Sequence, residues 1–514
     1  MKALAISLAL MAAVAAGGLV PAARAGTGDI WVTSNTTLTD DQHGRIFIGA
    51  SGITLDCAGH EVDGPGSAGI TLASVTGVTV KNCRVSGFDT GFLLNGAGGN
   101  TLRNDTSSGN GQSGFYLDSA SSGNLLASDS ATGNGTHGFT LDGASTNTLR
   151  LDSSSGNLDS GFGVVNGASG NRLTQNSASG NHVQGYALYS AGADNRLDGN
   201  TAADNQSVGF VLVGAGSTEL NGNTASGNTF AGFAILAGSQ NSTLRHNTAE
   251  GNNAGGFYVQ GSSGTTLTDN TATANVAGGF TLAADAPGNT LARNVSNANT
   301  GHGFVVDGGS GNVVRANTAK GNLDSGFALV DGASDNRLAL NTATGNSSQG
   351  YALYGAGSGN EFVGNSAAGN GSVGFAVIGS SGNTFTDNAS DENTYAGFDL
   401  VGSTGNTLAG DTASGNPIAG FQLDQGATNN TLSRDRASGN GDGFLVLQTA
   451  TGNLMSKDIS NANTNHGFAV YLGAAGNTVR DSTAHANGTV DAYDENAHGV
   501  NSWLRDSFGT TSFA

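Results

Sequence analysis

From Phe92 onward the chain repeats one rhythm of apolar and polar positions: a glycine, an aromatic residue, any residue, then an aliphatic one. The aromatic falls at 92, 115, 139, 162, 186, 210, 233, 257, 280, 304, 327, 351, 375, 398, 421, 444 and 468, always 23 or 24 residues apart. Fifteen of these seventeen are Phe, and the other two are Tyr186 and Tyr351. Leu, Ile or Val follows two residues later in every unit, from Leu94 to Val470. A second apolar position comes ten or eleven residues after the aromatic, from Leu102 and Leu126 to Val479, and eight residues beyond it every unit carries Asn, from Asn110 to Asn487. The consensus GFxLxGAxxNTLxxNTASGNxxx therefore holds two short alternating stretches, FxL and NTL, and a smaller one, TAS, with Gly and Asn between them. Alternation at period 2 predicts strands, and no apolar stripe with helical spacing occurs in the repeats. Three short strands per turn, stacked in one register, predict an all-β parallel solenoid.

Stacking places the Phe residues in one internal column, the Leu residues in a second and the Ala residues in a narrower third. Coils about 4.8 Å apart make seventeen units a rod of roughly 80 Å. A single coil cannot bury its apolar face, but the stack can. A buried turn Asn finds both donor and acceptor in an identical Asn one coil away, and Asn tolerates a left-handed bend, so the Asn columns read as scaffold. A longer period lies on top: NLDSGFGVVNGASGNRL (157–173) returns as NLDSGFALVDGASDNRL (322–338), a shift of 165 residues or seven coils.

Composition matters chiefly at the ends and for partners. Residues 1–25 hold Lys2, an apolar run from Ala3 to Val20 and Ala23-Arg24-Ala25, the pattern of a cleaved secretory signal peptide, with a mature start expected near Gly26. No later stretch approaches the length of a membrane-spanning helix, so a secreted or periplasmic product is expected. Loss of Lys2 and Arg24 moves the formal charge from −20 to −22, which argues against nucleic acid, anionic membrane and unassisted binding of a polyanionic glycan. A monomer is expected. Charged residues are only 11% and Gly numbers 85, but the fixed apolar period excludes disorder.

Ahead of the regular array, TLDCAGHEVDG (54–64) followed by GVTVKNCRVSGF (77–88) resembles the opening coils of right-handed parallel β-helix proteins of the pectate-lyase-like superfamily. Within it the likeness is to the module shared by periplasmic NosD-type copper-maturation proteins and carbohydrate-active β-helix proteins, and the repeat likeness spans 53–487. The resemblance implies a right-handed parallel β-helix of about nineteen coils with 23–24 residues each. It also implies that Cys57 and Cys83 lie one coil apart, within disulfide range, the alternative being two buried free thiols. Segments 26–52 and 488–514 are expected to cap the exposed strand edges.

Three sets of residues are candidates for chemistry. HGF occurs at 137–139, 302–304 and 466–468, so His137, His302 and His466 are copies within the seven-coil block. The Gly-His-Gly at 301–303 resembles that of polygalacturonases, but their clustered aspartates and basic motif are missing, and turn decoration is expected. Three residues after the Leu column most units carry Asn, yet Asp105, Asp129 and Asp152 form one acidic run and Asp411, Asp435 and Asp458 another. Such runs are either bridged by Ca²⁺ or are partly solvated turn acceptors in place of Asn; Asp118 and Asp142 stack similarly. Third, the outward position three residues past the aromatic reads Val165, Tyr189, Val213, Leu236 on four successive coils. It reads Val330, Tyr354, Ile378, Val401 seven coils later, with Leu447 and Tyr471 beyond. An apolar stripe marks an interaction surface unless turn residues cover it, and Tyr stacks on a sugar ring while offering its hydroxyl.

Unit length never varies by more than one residue, so no long loops wall a cleft, and only Arg172 and Arg196 approach a basic cluster. Copper has little support, with scattered histidines and Met455 as the sole methionine after the leader. The leading expectation is an exported, carbohydrate-associated β-helix that binds polysaccharide along its outer face and requires no cofactor, calcium remaining an option. A polysaccharide lyase or glycoside hydrolase is the second reading, and a structural spacer or adhesin the third.

Overall fold

The computed structural model describes residues 28–513, so the expected signal peptide and cleavage site lie outside the described residues. Three parallel sheets run along a right-handed β-helix, one of 22 strands and two of 21, and no helix occurs among the described residues. Register is one-to-one from coil to coil: Phe92 pairs with Phe115, Leu102 with Leu126 and Ser107 with Ala131. The first sheet carries the aromatic column, the second the Leu column and the third the Ala column. Each alternating triplet turns its apolar residue inward because successive side chains of a strand face opposite ways.

The backbone repeat dictates the core geometry. Aromatic rings from Phe92 to Phe468 stack with centroids 4.5–4.9 Å apart and planes within 10° of parallel. That separation is the strand spacing itself. The glycine before each aromatic is required by contact rather than by dihedral angle. A Cβ on Gly232 would stand 2.8 Å from the Ala249 side chain and 2.9 Å from the Gly256 carbonyl oxygen, so the corner between third and first sheets closes only without a side chain.

Each of the three corners holds a ladder of stacked side chains. Asn200 donates its backbone N–H and its Nδ2 to Asn223 Oδ1, at 2.8 and 3.0 Å, and its Nδ2 also reaches the Leu173 carbonyl at 2.9 Å. The column from Asn110 repeats this in the second corner, as in Asn205 to Asn228. A third ladder, two residues before the Leu column, runs from Asn100 to Asn501 and is interrupted by Thr218, Ser242 and Thr265. The expectation that the ladder Asn itself makes the left-handed bend is corrected. The residue before it does, as with Asn104 (φ 55°) ahead of Asp105 and Gly109 (φ 61°) ahead of Asn110. The ladder residue needs both amide groups aligned with the rod axis, so its neighbour takes the bend.

Coil strands also run through the segments expected as caps: Ile30–Val32 pairs with Ile46–Ile48, and Ala492–Asp494 with Thr511–Phe513. Near the C-terminal end Trp503 and Phe508 pack on the core, and Trp503 Nε1 donates to the buried Asp494 at 3.0 Å. Cys57 and Cys83 are joined as a disulfide with Cα atoms 4.8 Å apart. Cys83 also starts one ladder, its N–H donating to Asp105 Oδ1 at 2.8 Å.

Candidate functional site

On each first-sheet strand the aromatic and the residue two beyond it face inward, leaving residues one and three beyond it on the outer face. The third-position column is the stripe expected to bind a partner. Pairing brings Val165, Tyr189, Val213 and Leu236 into consecutive register, and likewise Val330, Tyr354, Ile378 and Val401. Leu447 and Tyr471 follow just past the ends of their strands, beside Tyr493. All are half-buried rather than freely exposed.

Cover for this face comes in part from the residue two before the aromatic, whose side chain reaches the first outward column of the next coil, as His137 does at Gly163. Val208 and Ala231, two residues before Phe210 and Phe233, close over Ala187, Val211 and Ala234 of the first outward column. Tyr189, Val213, Phe230 and Leu236 border that cluster, and Leu447, Tyr471 and Tyr493 border another around Ala396, Ala419, Leu445 and Ala469. Over these two stretches the stripe is thus one wall of a shallow apolar groove whose other wall is the row of residues two before each aromatic.

Where the second cluster begins, on the strands of Ala396 and Ala419, the groove turns polar. Asp399 and Gln422 occupy the first outward column in GFDL (397–400) and GFQL (420–423) and pair with each other across adjacent coils. With Ile378, Val401, Tyr395 and Asp424 they line a cavity of about 280 Å³. Asp399 is 8% exposed and Gln422 2%, and Asp399 Oδ1 and Gln422 Oε1 have no hydrogen-bond partner. Burial, and then the charge of Asp424, pushes the Asp399 carboxyl up to about 7. Asp424 stands in the third outward column beside Val401 and accepts the Gln425 N–H at 2.6 Å. Sequence reasoning anticipated Ile378 and Val401 but missed Asp399, Gln422 and Asp424. The signal was present: Asp399 is the one charged residue at the variable position of GFxL in seventeen units.

The family model for right-handed β-helix regions matches residues 26–202, 187–343 and 351–508. The chain belongs to the right-handed β-helix family. No curated protein matches its sequence. Similar solved structures include the periplasmic alginate epimerase AlgG, at 11% identity over 70% of this chain and 76% of that one, with a TM-score of 0.29. The A-module of the Azotobacter vinelandii mannuronan C-5 epimerase AlgE6 is 17% identical over 65% of this chain and 91% of that one, with a TM-score of 0.36. Pectate lyase Pel9A is 14% identical over 55% of this chain and 68% of that one, with a TM-score of 0.30. At such identities the likeness is one of fold.

The acidic runs of this β-helix sit inside a corner ladder. Asp105, Asp129, Asp152, Asp411, Asp435 and Asp458 are at most 1% exposed, so the expectation of partly solvated turn acceptors is corrected. Each takes an Asn place, and its Oδ1 accepts the backbone N–H of the coil before, as in Asp129 N–H to Asp152 at 2.8 Å. Burial raises all six: Asp105 and Asp458 to about 8, Asp152 and Asp411 to about 7. Asp129 and Asp435, each with an acidic neighbour on both sides, rise well above the ordinary carboxylate range. Among the described residues no group of three or more His, Cys, Asp or Glu side chains is arranged to hold a metal ion.

The remaining candidates resolve into local contacts. His302 Nδ1 accepts the Ser325 N–H at 3.2 Å and its Nε2 lies 3.4 Å from Asp324. His137 Nδ1 likewise accepts the Ser160 N–H, and burial holds both imidazoles below their ordinary value. His466 instead pairs with Asp442 at 2.8 Å and stacks on Tyr493. Asp118 accepts the Gly96 N–H at 2.9 Å, and Asp142 takes Asn166 Nδ2 at 2.7 Å. Arg172 and Arg196 do not form a free basic cluster: both reach Asp198, and Arg196 also reaches Glu219 at 2.8 Å, which Arg245 shares.

Proposed function

We propose that this β-helix is an exported, carbohydrate-associated protein that binds a polysaccharide along the outer face of its first sheet. The observation that carries the reading is the groove itself. Its half-buried stripe, with Tyr189, Tyr354 and Tyr471, runs parallel to the rod axis, and a polar cavity opens where its second apolar stretch begins. A glycan chain presents apolar ring faces and hydroxyl edges in alternation, and aromatic residues with a polar tip beside acceptors suit both. The formal charge of −20 favours neutral chains over polyuronates. Calcium enters only as the bridge a polyanionic chain would require.

Affinity electrophoresis through gels cast with soluble glucans, xylan, galactomannan and alginate, with and without Ca²⁺, tests the reading. Retardation by a neutral polysaccharide, lost in the double substitution Tyr189→Ala with Tyr354→Ala, is expected. No retardation in any gel removes the proposal. Export is tested separately: N-terminal sequencing of the protein recovered from the periplasm or medium should begin near Gly26.

A further inference from the structure

The two copies of the seven-coil block differ over much of their surface. Arg196 corresponds to Glu361 in the second copy, Asp198 to Val363 and Ser155 to Lys320. One patch is unchanged. His137, Ser160 and Gln184, each two residues before an aromatic on three successive coils, return as His302, Ser325 and Gln349. Leu158, Asp159 and Tyr189 return as Leu323, Asp324 and Tyr354. The exposed leucines sharpen the contrast: Leu151 corresponds to Ala316 and Leu340 to Gln175, whereas Leu158 and Leu323, both exposed, correspond to each other.

The two patches are also built alike. The Ser160 N–H donates to His137 Nδ1 at 3.3 Å, and Ser160 Oγ donates to Gln184 Oε1 at 2.7 Å. Ser325 repeats both bonds, to His302 at 3.2 Å and to Gln349 at 2.8 Å. Three coils are thereby tied together in each copy, and the aspartate beside each serine is left at the surface. Asp159 Oδ2 stands 3.9 Å from His137 Nδ1, and Asp324 Oδ2 stands 3.4 Å from His302 Nε2, each carboxylate side chain being 42% exposed. Tyr189 and Tyr354 end the strands that follow Gln184 and Gln349. Burial, and then the charge of Asp159, pushes the Tyr189 phenol up, and burial with Asp324 does the same for Tyr354. Both phenols therefore keep their proton as a donor.

We infer that the two patches are twin subsites that grip one polysaccharide chain at two points, so that this protein binds its glycan bivalently. The inference rests on the glycan-binding reading of the groove and adds a defined span to it. Seven coil steps of about 4.8 Å set the subsites roughly 34 Å apart along one face. Each offers a carboxylate to accept from sugar hydroxyls, a phenol to donate and stack, and an exposed leucine for an apolar ring face. Burial holds both imidazoles below their ordinary value, so neither subsite presents a cation at neutral pH, and a neutral chain fits better than a polyuronate. Between them the third outward column reads Val213, Leu236, Gln260, Ala283, Asp307 and Val330, with a single charge. A chain captured at one subsite meets the second intramolecularly, which raises affinity without any new kind of contact.

The test uses the mature chain and size-fractionated fragments of whichever soluble glucan, xylan or galactomannan retards it, followed by titration calorimetry. Fragments shorter than about 34 Å should bind two per protein chain. Longer fragments should bind one per chain, with a Kd lower by about 100-fold or more. Tyr189→Ala alone, and Tyr354→Ala alone, should each take one short fragment and lose the gain with length. Both residues are half-buried on the outer face, so both variants should melt like the parent, and the parent's own length series decides the matter without them. A short-fragment stoichiometry other than two, or an affinity independent of length, overturns the bivalent inference and leaves the binding proposal standing. Failure of every polysaccharide to bind overturns both.

Discussion

Replacing Asp152 by Asn should stabilise the rod by an amount that grows with pH. In the folded chain the Asp152 carboxyl is buried, Oδ1 accepts one backbone N–H and Oδ2 has no partner. Burial lifts it to about 7, from an ordinary aspartate value of about 3.9. The unfolded chain therefore releases this proton near pH 4, while the folded chain keeps it until about pH 7. Between those values the unfolded state binds fewer protons, so stability drains as pH rises, by about 1.4 kcal/mol per unit. Over about three units the loss is about 4 kcal/mol, complete above pH 7 and absent below pH 4. An asparagine at this rung has no proton to lose. It also restores an Nδ2 donor like the one that Asn176, the next rung, directs at the Leu149 carbonyl. Guanidinium denaturation of parent and variant at about pH 4, 5, 6, 7 and 8 measures the difference directly. Near-equal midpoints at pH 4 and a gap widening to pH 7 are expected. A gap independent of pH, or a less stable variant at pH 8, would refute the reasoning, because either result means the carboxyl is ionised inside the ladder.

Other substitutions probe the columns. Tyr351 Oη donates to the Asn341 carbonyl at 2.7 Å, whereas the Tyr186 hydroxyl is buried without a partner. Tyr351→Phe should therefore cost about 1 kcal/mol and Tyr186→Phe nothing or less, in the same denaturation assay. Gly232→Ala forces a methyl into contacts below 3.0 Å with a neighbouring side chain and carbonyl. It should raise amide exchange over residues 225–257, read by mass spectrometry. Gly251→Ala, at a left-handed corner with open space around it, acts only through its dihedral strain of about 1 kcal/mol. Reducing Cys57–Cys83, which closes a 26-residue separation, should loosen the first coils by about 3.5 kcal/mol, read as faster proteolysis of residues 28–90 alone.

The period made most of the fold legible. A 23–24-residue recurrence of inward apolar positions admits few structures other than a stacked coil, and the aromatic column from Phe92 to Phe468 formed where the rhythm placed it. Two features were hidden because they depend on the corner rather than the strand. The ladder through Asn100 looked like part of a strand, and the bend at Asn104 falls one residue before the ladder rung. The groove was half legible. Val165, Tyr189, Ile378 and Val401 were found because outward apolar residues break the alternation. Asp399 and Gln422 were missed because outward polar residues satisfy it. Residues that precede the aromatics, such as Val373 and Tyr395, stand beside them, a contact between segments that period-2 reasoning does not contain.

The central claim, that the first sheet's outer groove is the glycan-binding face, is tested most directly by hydroxyl-radical footprinting with and without a retarding neutral polysaccharide. Tyr189, Tyr354, Tyr395, Leu447 and Tyr471 border the groove, whereas Leu151 and Leu340 are 48% and 68% exposed at another corner of the rod. The account predicts that bound polysaccharide lowers oxidation of the groove residues and leaves Leu151 and Leu340 unchanged. Equal protection at those two leucines, or none at the tyrosines, would contradict it.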